Sequence, residues 1–100
     1  MATYAELYGL RTESALKNRV MTACIVAAEA IMEEDGGTAN HANRLLWSAA
    51  VFAAPQQESE RMYWAVLAAN KDASVAQIQG ASDAAIQTNV DDHVDLFATG

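Results

Sequence analysis

The chain is poor in the residues that stop helices, cross-link chains or bind polyanions. One proline and five glycines in 100 residues leave few obligatory helix ends, and no stretch alternates with the period of two that a half-buried strand needs. A single cysteine, Cys24, excludes an internal disulfide and gives no reason to place the chain in an oxidising compartment. It lies in an apolar run and reads as a small buried hydrophobe. Six Lys and Arg against 13 Asp and Glu give a net charge of -7, without the basic face that neutralises phosphates, which argues against nucleic-acid binding. The longest apolar run, Val20 to Met32, covers 13 residues and already contains Thr22 and Glu29. A membrane span needs about 20 predominantly apolar residues, so no membrane insertion is expected. The first residues, Met1 to Glu6, lack a basic segment followed by an apolar one, so no secretory signal is expected and the chain reads as soluble and intracellular.

What is present is alanine. It supplies 22 of the hydrophobic residues that make up 52% of the chain, so the core is wide but has few large anchors. The length fits one domain spanning residues 1–100. Together these features predict an all-α protein: a compact bundle of four to five helices around one long central helix. A small alanine-rich core gains much from contacts with other subunits.

Caps and breakers set the segments. Thr3 caps a short leading helix with Glu6 as its capping-box partner and Gly9 as its stop. A second helix starts at Thr12 or Ser14 and runs to about Asp35, where Gly36 and Gly37 permit the left-handed turn that ends it. At ~33 Å it is the central element. Leu16, Val20, Ala23, Ala27, Ala30 and Ile31 form one stripe along it and Met21, Ile25, Ala28 and Met32 another, so neighbours must enclose it. Thr38 caps a third helix to about Ala53, with Leu45, Leu46, Ala49, Ala50, Phe52 and Ala53 expected on its core side. Pro55 ends that helix and opens a fourth, whose inner face is Met62, Tyr63, Val66 and Leu67. Ser74 caps the last part, which breaks around Gly80 to Ser82 and continues through Ala85, Ile86, Val90, Val94 and Phe97.

The candidate chemistry is thin. Asp91 and Asp95 share a helix face, but His93 is two residues from each and points elsewhere, so the group reads as a solvated acidic end, with no metal expected. Cys24 with His41 or His93 lacks any supporting local motif for a nucleophile and base. Glu33-Glu34-Asp35-Gly36-Gly37 lacks the alternation of a calcium loop, and there is no phosphate-binding glycine loop, Gly-x-Ser-x-Gly or Cys-x-x-Cys. Trp47, Tyr63 and Trp64 sit at helical spacing beside Leu and Val and read as core. No cofactor and no catalytic residue is expected.

One feature breaks a local rule. Arg11, Lys17 and Arg19 stand at the start of the long helix and Glu29, Glu33, Glu34 and Asp35 at its end, the reverse of what the helix dipole favours. Salt bridges to other helices, through Arg44 or Arg61 near the acidic end, are one compensation. The other is an interface in which the basic end of one subunit meets the acidic end of the next, a head-to-tail contact able to close into a ring. Asp91, Asp92 and Asp95 extend the acidic end. Residues 72–100 carry five Asp and no Lys or Arg, so an adaptor binding a basic protein through this region is the alternative function.

The segments Met1-Ala-Thr-Tyr-Ala-Glu-Leu-Tyr8, Asn18-Arg19-Val20, Ala27-Ala28-Glu29-Ala30-Ile31, Asn40-His41-Ala42-Asn43-Arg44-Leu45-Leu46-Trp47 and Ser82-Asp83-Ala84-Ala85-Ile86-Gln87 resemble small helical proteins of tailed bacteriophages and prophages. The resemblance implies a role in the virion or its assembly, at the head-tail junction where such proteins form rings. It implies contacts with copies of itself and with other phage structural proteins, and a location in the host cytoplasm during assembly and in the virion. It carries over no functional residue. If the head-to-tail contact holds, reversing Glu33 and Glu34 to Lys breaks the oligomer, and an unchanged solution mass rejects it.

Overall fold

The computed structural model describes residues 1–34 and 41–98. Among them are six helices and no strand: α1 (Tyr4–Gly9), α2 (Ser14–Glu33), α3 (His41–Ala53), α4 (Pro55–Ala69), α5 (Val75–Gln79) and α6 (Asp83–Ala98), with a 3-10 turn at Leu10–Thr12. The break at residues 80–82 separates α5 from α6 and adds a helix to the expected count. Asp35, the Gly36–Gly37 turn and the Thr38 cap lie outside the described residues.

The helix starts follow the caps. Thr3 Oγ1 accepts the Glu6 amide while Glu6 accepts the Thr3 amide, and Ser74 and Gln77 repeat the exchange at α5. The same exchange with the Thr3 amide and hydroxyl holds the exposed Glu6 carboxyl below its ordinary range. Pro55 occupies the first turn of α4, where a missing amide hydrogen costs nothing. α1 ends at Gly9 as expected, but without a left-handed residue: Gly9 has φ -65 and Leu10 φ -72, so the backbone continues into the 3-10 turn and becomes extended only at Glu13.

The long α2 packs against α3, α4 and α6. Its buried residues are Leu16, Val20, Ala23, Cys24, Ala27, Ala28 and Ile31, and the small side chains among them let neighbouring helices approach closely. Met62, Tyr63, Val66 and Leu67 cover it from α4, and Ile86, Val90 and Val94 from α6. Ala30 and Met32 of the expected stripes face solvent instead.

Polar ties fix the register. Arg19 pairs with Asp83 at 2.8 Å and donates to the Ala81 carbonyl at 2.6 Å, and Gln87 donates to the Ala23 carbonyl at 3.1 Å. These contacts advance together along both helices, so α6 runs parallel to α2. The Ala2 amide donates to the Ala73 carbonyl at 2.7 Å and the buried Tyr63 hydroxyl to the Leu10 carbonyl at 2.6 Å, tying the α1 segment to α4 and the turn after it.

Burial pushes the Cys24 thiol up to about 12 with Glu58 adding to the shift, and burial followed by Glu13 and Glu60 pushes the Tyr63 phenol to about 12. The unfolded chain releases these protons near the ordinary values of 9.0 and 10.0. The folded state therefore binds more protons in that window, and its stability is full below pH 9 and falls as pH rises towards 12. Thermal melts across this range should show the midpoint dropping. In Tyr63→Phe the drop should be shallower, at a cost of about 1 kcal/mol at neutral pH because the Leu10 carbonyl keeps the Glu13 amide.

Candidate functional site

Helix α3 has two faces, and the expectation about which one is buried is overturned. Leu45, Leu46, Ala49, Phe52 and Ala53 are exposed, Leu46 at 71% and Phe52 at 45%, and Ala50 is half-buried. The buried residues are Trp47, Ser48 and Val51, with Arg44 half-buried beside them. Residues three and four apart share a helix face, so Ala42, Leu45, Leu46, Ala49, Phe52 and Ala53 form one continuous outer stripe without a polar atom in any side chain.

The physical reason lies in Arg44. Its guanidinium is 3.2 Å from Glu34 at the end of α2 and 3.6 Å from Asp95 near the end of α6. Because α2 and α6 are parallel, their carbonyl-rich C-terminal ends gather at one end of the bundle with Glu34 and Asp95, and a cation is favoured there. Rotating α3 to bring Arg44 inward also turns Trp47 and Val51 to the core and the leucine stripe outward. Ser48 is satisfied inside by donating to the Arg44 carbonyl at 2.9 Å. Among the described residues the buried Trp47 indole N–H has no hydrogen-bond partner, a local cost accepted for the packing of its ring.

The charges singled out in the sequence largely find partners within the chain. Lys17 pairs with Glu60, Arg19 with Asp83, and Glu34 and Asp95 with Arg44. Among the described residues Arg61 pairs with Glu58 and not with the acidic end of α2, and it lies over the Phe97 ring at 4.8 Å. Asp91 accepts from Gln87 at 3.0 Å. Glu29, Glu33 and Asp92 face solvent, and Asp35 lies outside the described residues. Intramolecular salt bridges thus engage Lys17, Arg19 and Glu34 among the reversed charges of α2.

Arg11 belongs to a different surface. It donates to the Tyr8 hydroxyl at 3.1 Å and lies over the Tyr8 ring, which meets Trp64 at a centroid distance of 6.0 Å. Tyr4, Leu7, Leu67 and Ala68 complete a shallow groove of about 300 Å³ between α1 and α4. The two tryptophans therefore divide, Trp47 in the core and Trp64 at this groove.

His93 Nδ1 lies 2.6 Å from the Asn89 carbonyl, to which it donates. The side chain of His41 is outside the described set. Cys24 is fully buried, so at neutral pH its thiol is a protonated core group. Among the described residues no group of three His, Cys, Asp or Glu side chains is placed to hold a metal ion, and no helix is long and apolar enough to cross a membrane. No described protein family, no curated protein and no solved structure matches the chain.

The orientation of α3 has a direct consequence for stability. At concentrations where the chain is monomeric, Leu46→Ser should change unfolding free energy by less than about 0.5 kcal/mol. Val51→Ala should cost about 2 kcal/mol. Chemical denaturation of the two variants checks this, and the opposite ranking would put the leucine stripe inside.

Proposed function

We propose that this chain is a structural or assembly protein of a tailed phage that acts by touching other polypeptides, as a homo-oligomer, with the outer face of α3 as its contact surface. The observation that carries the proposal is the exposed stripe of Leu45, Leu46, Ala49 and Phe52. A contiguous apolar face on a soluble helix marks an interaction site, and its spacing is that of a helix recognised along one side. The resemblance of the sequence segments to small phage proteins supports placing that contact in the virion or its assembly, with the head-tail junction as the setting.

The acidic C-terminal region offers less to a basic partner. Three of its five Asp are engaged within the chain, Asp83 with Arg19, Asp91 with Gln87 and Asp95 with Arg44.

Salt distinguishes the apolar contact from an electrostatic one. Subunits of net charge -7 repel one another, and added salt screens that repulsion while leaving apolar burial intact. Light scattering over a dilution series should show an oligomer that tightens as salt is raised, with Leu46→Glu shifting the mass towards the monomer. A monomer at every concentration overturns the proposal. An oligomer loosened by salt and broken by Glu33→Lys, which leaves the Arg44–Glu34 pair in place, assigns the contact to the charged helix ends instead.

A further inference from the structure

We infer that the groove between α1 and α4 docks an acidic, proline-containing segment of a partner protein, held in the polyproline II conformation. The site is separate from the outer face of α3 and adds a second contact to it.

Charge selects the sign of the occupant. Four of the six Lys and Arg residues are held by carboxylates: Lys17 by Glu60, Arg19 by Asp83, Arg44 by Glu34 and Asp95, and Arg61 by Glu58. The other two, Arg11 and Lys71, are exposed and have no carboxylate partner among the described residues. Both stand at this groove. The Ala2 amide meets the Ala73 carbonyl and the Tyr63 hydroxyl meets the Leu10 carbonyl, so α1 runs antiparallel to α4. At one end Arg11 lies 5.6 Å over the Tyr8 ring, where Tyr8 meets Trp64. At the other, Lys71 follows α4 one turn beyond Leu67 and Ala68. No carboxylate lines the groove. Of the nearby acids, Glu6 is committed to Thr3 and Glu60 to Lys17, while Asp72 offsets part of the charge of Lys71. On a chain of net charge -7, this edge attracts an acidic segment that the rest of the surface repels.

Hydrogen bonding selects the conformation. Tyr4, Tyr8 and Trp64 are exposed, and the planes of Tyr8 and Trp64 are inclined at 53°, a wedge that suits a flat saturated ring. The Trp64 indole N–H and the Tyr4 hydroxyl have no hydrogen-bond partner among the described residues, and Arg11 spends one of its donors on the Tyr8 hydroxyl. The groove thus offers aromatic faces together with donors. A helical occupant uses its own carbonyls internally. A polyproline II segment leaves every carbonyl free and packs its prolines on aromatic rings.

The dimensions agree. Trp64 to Lys71 is about 11 Å along the helix axis. Polyproline II advances about 3.1 Å per residue, so acidic side chains four positions apart, about 12 Å, reach Arg11 and Lys71 together.

The probe is the blocked peptide Glu-Pro-Pro-Pro-Glu, titrated at low salt into the full chain. Calorimetry should show saturable binding that weakens as salt is raised. Tryptophan fluorescence should change on binding, and Trp64→Phe should remove that change, since Trp47 is buried. Arg11→Gln should weaken binding by about two- to fivefold and Lys71→Gln by less. Tyr4→Ala, at an exposed position, should weaken it about three- to tenfold. Lys-Pro-Pro-Pro-Lys should not bind. No binding tighter than about 1 mM, equal binding of the lysine peptide, or preference for a helical peptide with two Glu at the same separation overturns the proposal. So does a wild-type oligomer dispersed by Arg11→Gln, which gives the groove to a second copy. Leu46→Glu, on α3, should bind the peptide as the wild type does, which separates this site from self-association.

Discussion

The arrangement of the bundle turns on the guanidinium of Arg44. Two parallel helices end at the same place, each presenting the negative end of its dipole and a carboxylate, Glu34 from α2 and Asp95 from α6. Such an accumulation of negative charge is unfavourable unless a cation enters it. Arg44 is the only charged residue in the neighbouring stretch of chain, and its position in α3 decides how that helix is rotated. The rotation settles which residues of α3 join the core and which face outward. The exposed apolar face of α3 is thus a by-product of an electrostatic requirement at the far end of two other helices.

This explains both what could be read from the sequence and what could not. The Thr3 and Ser74 caps, the Pro55 start and the inner face of α4 are local signals, set by residues within one turn of each other, and each is realised in the structure. Residues of α3 offered two apolar faces, and periodicity has no means of choosing between them. Hydropathy favours the wrong one, because the face that is buried contains Arg44 and Ser48 and the face that is exposed contains neither. The deciding carboxylates, Glu34 and Asp95, lie ten and fifty-one positions away.

The reversed charges on α2 illustrate the same limit from the other side. Taken alone, basic residues at a helix start and acidic ones at its end look like a defect to be repaired by another subunit. In the folded chain Lys17, Arg19 and Glu34 find partners locally, in Glu60, Asp83 and Arg44. Being largely exposed, the Arg19–Asp83 pair contributes little by Coulomb attraction. Its greater effect is geometric, since Arg19 also holds the Ala81 carbonyl and so fixes where α6 begins.

Between α3 and α4 stands the single residue Ala54, followed at once by Pro55. A joint this short has no slack, so traction applied to the outer side of α3 passes directly into α4, and through the Tyr63 hydroxyl to the segment before α2.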